Sequence, residues 1–169
     1  MIPINLRKAF LTLDLIYVWC FLMELVYEKY GWVIFIALGL LWVVVGLTQV
    51  FLPDGLIENN AQLVTDMSWS ELKASSPVAS DLIRWLYGAL GLLKTSWSFL
   101  VLAITLTGYR RGEKWAWYTL WLVPVLLVSS GLFNVIFVGD VFLMLEWIPI
   151  MTLSLLGLIL PYRKFFPRK

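Results

Sequence analysis

Apolar residues run in long, nearly unbroken blocks, and polar positions gather in the short gaps between them. The cleanest block, 32–52, carries no charge and stops at Pro53, Asp54 and Gly55. About 20 such residues at roughly 1.5 Å each cover the hydrocarbon core of a bilayer, so the block predicts a transmembrane helix. Comparable blocks follow at 83–107, 117–137 and 141–160, giving four spans. A further block, 9–27, is interrupted by Asp14 and Glu24. Its tight link to the next span favours a crossing, while the basic Arg7 and Lys8 before it favour a helix lying in the interface. The expected fold is an all-α membrane bundle of four helices plus a fifth at the N-terminus, one domain over 1–169.

The gaps add detail. Residues 55–81 form the only long connection, polar and slightly acidic. Within it Ser68-Trp69-Ser70-Glu71 has the form of a capping box, which predicts a short amphipathic helix ending before Pro77 and serving as an interfacial lid. Gly39 and Gly46 mark one side of the 32–52 helix as a place where a neighbour can approach closely. Tyr87, Gly91, Lys94 and Ser98 recur at helical spacing and share an inward face. Pro124 withholds a backbone donor from the Leu120 carbonyl and predicts a kink in the 117–137 helix.

With 61% hydrophobic and 14% charged residues, the composition is that of an integral membrane protein rather than a soluble domain. The net charge of +2 is too small, and its bases too confined to span ends, for nucleic-acid binding. Arg110, Arg111, Lys114, Arg163, Lys164, Arg168 and Lys169 fall on one side when the last three spans alternate, against Lys73 and Arg84 on the other. The positive-inside rule therefore places the C-terminus in the cytoplasm and the 55–81 connection outside the cytoplasmic (plasma) membrane. There is no histidine, and Cys20 is the sole cysteine. That removes the usual metal and haem ligands and the commonest general base, so neither a cofactor nor a metal is expected.

The candidate chemistry lies in the charges that fall inside the blocks. Lys94 sits well within the 83–107 span and Glu146 a short way into the last one, at matching depth below the outer surface. An intramembrane lysine needs a partner or a path to water, and Glu146 is the expected partner. Asn134 and Gln49 extend the cluster, and Asp14 joins it if 9–27 crosses. No arrangement of acid, base and nucleophile points to a catalytic residue. At the other end Arg110, Arg111, Lys114, Trp115 and Trp117 form a basic, aromatic turn suited to lipid headgroups or a partner.

Residues 32–53, Ser68-Trp69-Ser70-Glu71-Leu72, the run Tyr109-Arg110-Arg111-Gly112-Glu113-Lys114-Trp115-Ala116-Trp117 and the closing Pro161-Tyr162-Arg163 resemble a group of small prokaryotic multi-pass membrane proteins. The resemblance spans about 32–164, is topological, and implies a cytoplasmic-membrane location with no assigned activity. Three functions remain open. The first is a non-enzymatic structural or accessory subunit that associates with lipid, other membrane proteins or itself. The second is a binder of a lipophilic small molecule or lipid, with or without isomerase-like chemistry, at the Lys94 and Glu146 cluster. The third is a small proton-coupled transporter acting as an oligomer.

Overall fold

The computed structural model of the chain describes residues 29–65, 67–138 and 147–167. Among these the regular elements are all helical, with no strand. In chain order they are α1 Lys29–Phe51, α2 Pro53–Thr65, α3 Trp69–Ser75, α4 Pro77–Ile104 continued by a π-helical turn Thr105–Tyr109, α5 Lys114–Leu120, α6 Leu122–Val138, α7 Ile148–Ile159 and α8 Tyr162–Phe165. Three stretches are long and apolar enough to cross a membrane: Lys29–Phe51, Pro77–Tyr109 and Lys114–Phe137. The apolar α7 is shorter. The expected segment 9–27 and the opening of the expected span 141–160, including Glu146, lie outside the described residues.

Helices α1 and α4 run antiparallel, and their glycines set the distance between them. A Cβ on Gly46 would come within 2.3 Å of Thr95 Oγ1 and 2.9 Å of the Gly91 carbonyl, while one on Gly91 would meet the Gly46 carbonyl at 2.7 Å. Gly39, two turns from Gly46, takes the Leu102 side chain. The backbones therefore touch, as small residues permit where lipid tails give helices no hydrophobic reason to associate.

Two expectations change at the helix ends. Pro53, Asp54 and Gly55 end the first helix but do not open a loop, because α2 begins at Pro53 itself. Proline at a helix start has its φ preset, and its missing N–H is one that would have no helical partner there. Ile57 and Ala61, four apart, bury one face of α2 against Trp69, with Leu72, Ile83 and Tyr87 around them. Similarly α4 starts at Pro77 rather than near Ile83, with proline in its first turn. The capping box at Ser68 is present: Glu71 N–H donates to Ser68 Oγ at 3.2 Å, and Ser68 N–H donates to Glu71 Oε2 at 2.8 Å.

The helix from Lys114 is interrupted at Trp121, where Trp121 N–H turns back to the Tyr118 carbonyl at 3.3 Å. Pro124 lies one turn on and has no N–H for Leu120, so the break falls where the missing donor puts it. The α4 end is also irregular. Arg110 N–H reaches the Thr105 carbonyl at 2.9 Å, five residues back, and Gly112 adopts a φ of 79° that only glycine takes readily. This unwinding turns the chain into α5 with Gly108 pressed on Trp115 and Ala116.

Candidate functional site

Among the described residues, three helix faces and one aromatic side chain line a cavity of about 370 Å³. From α1 come Phe35, Leu38, Gly39 and Trp42, from α4 Lys94, Trp97, Ser98 and Val101, and from α6 Val123, Leu126, Leu127, Ser130 and Asn134. Trp147 also lines the cavity. Each set repeats at three and four residues, which is the one-face periodicity of a helix. The cavity follows from the glycine crossing, because Trp42 lies one turn from Gly46 and Lys94 one turn from Gly91. Backbone contact at the glycines leaves room just below them.

The lining is polar at one end and apolar at the other. Lys94 Nζ stands 5.2 Å from the centroid of the Trp42 ring. Trp42 in turn stacks on Trp147, with ring centroids 5.4 Å apart and planes within 9°. Asn134 lines the same end and makes no hydrogen bond among the described residues. Ser98 spends its hydroxyl on the Lys94 carbonyl at 2.7 Å. Towards the other end Phe35, Val101, Val123 and Leu127 are buried and form an apolar floor. Trp97 and Leu126 line the cavity yet stay 37% and 46% exposed, so it opens sideways between α4 and α6.

Below the floor the bundle is closed by aromatic packing. Tyr109, 1% exposed, donates its hydroxyl to the Gly157 carbonyl and packs edge-on against Phe35 and at 4.7 Å against Phe165. Here the basic turn folds onto the C-terminal segment. Lys164 Nζ donates to the Arg110 carbonyl at 2.8 Å, Lys114 Nζ stands over Phe166 at 5.2 Å, and Arg110 covers Trp32 at 5.0 Å. Trp117 donates to the Leu158 carbonyl at 3.0 Å and meets Tyr162 and Phe166 edge-on, while Trp115 donates to Glu113. Arg111 and Trp115 remain exposed.

The opposite end holds the second charged cluster. Asp54 accepts from Arg84 Nη2 at 2.7 and 2.8 Å, from Arg84 Nε at 3.1 Å and from Lys73 Nζ at 3.0 Å. The Arg84 guanidinium, then the Lys73 ammonium, hold the Asp54 carboxyl well below the usual range, at about 2. The backbone N–H of Ser68 and then its hydroxyl lower Glu71 likewise. Asn60 donates to the Tyr87 hydroxyl at 2.6 Å. These contacts strap α2 and α3 onto α4, and none of the described residues of 53–81 lines the cavity, so the described part of the lid expected over Lys94 is fastened elsewhere.

Of the residues expected to cluster, Lys94 and Asn134 come together. Gln49 does not line the cavity; it lies against Gly91, with its Oε1 buried and unpaired among the described residues. Asp14 and Glu146 lie outside the described residues. Among the described residues no carboxylate pairs with Lys94, whose ammonium rests on Trp42. Trp42 and Trp147 were not expected at the site. Trp42 was nevertheless readable, since it shares with Phe35, Gly39 and Gly46 the face that the glycines mark. No group of three or more metal-ligating side chains occurs among the described residues. No family model, curated protein or solved structure matches the chain.

Proposed function

We propose that this is a multi-pass protein of the cytoplasmic membrane that binds a lipophilic small molecule or lipid between α1, α4 and α6. The reading rests on the cavity itself: apolar at its base, with a few convergent polar groups at the other end, and open sideways where acyl chains would lie. Such a lining is how small-molecule sites are built. An intramembrane ionisable residue, here Lys94, is by default a functional one.

Transport across the bundle is less well supported, because the buried Phe35, Tyr109 and Phe165 stand between the cavity and the basic end. A purely structural or accessory role would leave the polar end of the cavity without a purpose. Catalysis has no acid and base facing each other among the described lining residues. The orientation follows the charges: the end carrying Arg110, Arg111, Lys114, Arg163 and Lys164 is placed in the cytoplasm, with the C-terminus, and the Asp54 end outside.

Filling the cavity tests the reading. Leu127→Trp should abolish tryptophan-fluorescence changes on adding detergent-dispersed lipophilic ligands, while a Val128→Trp control on the exposed side of α6 should leave them. Equal responses in both variants would place ligand outside the cavity.

A further inference from the structure

We infer that the ligand is a single-chain amphiphile with a monoanionic carboxylate head, Lys94 serving as its counter-ion and the apolar floor holding its tail. This deepens the proposed function and rests on it. Contact with one tryptophan face gives an ammonium about 0.5–2 kcal/mol. Removing an ion from water costs several kcal/mol even after relaxation, and among the described residues the Trp42 contact alone does not offset that for the partly buried Lys94. An anion at its side is what the site lacks among the described residues.

The head is narrowed by what surrounds it. Lys94 is the only cation among the described lining residues, and a single ammonium matches one negative charge. Phosphate recognition favours several cations or an arginine fork, and neither occurs among the described lining residues. The carboxamide of Asn134, without a hydrogen bond among the described residues, can donate to the second carboxylate oxygen. The stacked Trp42 and Trp147 form a flat wall beside the head. The tail is narrowed by size. A volume of about 370 Å³ sits low in the roughly 300–1,000 Å³ range of ligand pockets. From Asn134 down to Val123 the α6 wall runs eleven residues, about 16 Å. That is an elongated slot for one chain, not for the two of a membrane phospholipid.

The test compares dodecanoate, dodecanol and lauroyl lysophosphatidic acid against delipidated protein in a neutral maltoside detergent, by tryptophan fluorescence titration. Wild type should bind dodecanoate about tenfold or more tighter than dodecanol, and tighter than the lysophosphatidate. Lys94→Met should bring the acid-to-alcohol ratio near one with dodecanol affinity unchanged, and Lys94→Arg should restore the preference for acid. Glu146→Gln should leave the ratio within about threefold of wild type. Equal binding of acid and alcohol in wild type, or an acid preference that survives Lys94→Met, overturns the carboxylate assignment while leaving the binding site standing. A tenfold gain in dodecanoate affinity in Glu146→Gln would make that glutamate the counter-ion and likewise overturn it. Failure of all three probes to bind overturns the proposed function with it.

Discussion

Substituting Gly46 by alanine tests the contact on which the cavity depends. The added Cβ would sit 2.3 Å from Thr95 Oγ1, 2.9 Å from the Gly91 carbonyl oxygen and 3.0 Å from the Thr95 nitrogen. Two of these are backbone atoms, so no side-chain rotation relieves them. The third is held in a 2.8 Å hydrogen bond to the Gly91 carbonyl. The helices must therefore separate, and overpacking of this kind costs about 1–3 kcal/mol. For a domain of this size that lowers the unfolding midpoint by roughly 2–12 °C. Gly88→Ala is the matched control on α4, three residues from Gly91, where an added Cβ meets nothing within 4 Å. In a bilayer or detergent the unfolded segments stay largely helical, so the usual helix gain of alanine over glycine shrinks and the control should move little. Thermal unfolding in maltoside, followed by loss of the monodisperse peak in size-exclusion chromatography, measures both. Moving α1 off α4 also parts Trp42 from Lys94, so Gly46→Ala should weaken ligand binding as well. An unchanged midpoint in Gly46→Ala, or an equal drop in Gly88→Ala, would refute backbone contact at the crossing.

Other expectations follow from single contacts. Tyr109→Phe leaves the Gly157 carbonyl unpaired in a buried site, and buried hydrogen bonds within membrane bundles are worth about 0.6–2 kcal/mol; a drop of several degrees in the midpoint is expected, and none would discount the bond. Asp54→Asn releases Lys73 and Arg84, whose side chains are 37% and 48% exposed, so stability should fall by less than about 1 kcal/mol while proteolysis within 53–81 quickens. Because the folded Asp54 carboxyl lies below its ordinary value, this contribution is full above about pH 4 and is lost as pH falls towards 2; cleavage of wild type should not quicken between pH 7 and pH 5. Ser68→Ala removes the hydroxyl that caps α3 and should raise amide exchange there several-fold while α4 stays protected.

Much of this architecture was legible because the rules behind it are local. An uncharged block such as 32–52 has only one way to satisfy its backbone in a membrane, and Ser68 with Glu71 carries its cap in four residues. Proline was half legible: the preceding helices do end at Phe51 and Ser75, as Pro53 and Pro77 predict, but each proline also opens the next helix. The candidate site was half legible. Periodicity placed Lys94 and Ser98 on one inward face, but the face that α4 meets depends on which helix stacks on Gly91, and that is a tertiary fact. Trp42 became a neighbour of Lys94 only once Gly46 had been set on Gly91. Gln49 was grouped with Lys94 by depth alone, and depth does not fix rotation about the helix axis.

Anomalous diffraction from crystals grown in a lipidic phase with dodecanoate brominated at its terminal carbon tests the central claim most directly. The expected result is a bromine peak on the floor between Val101, Val123 and Leu127, with carboxylate density at Lys94 and Asn134. A bromine peak beside Lys94, or a cavity holding no bromine while the Lys94 ammonium is paired with Glu146, would contradict it.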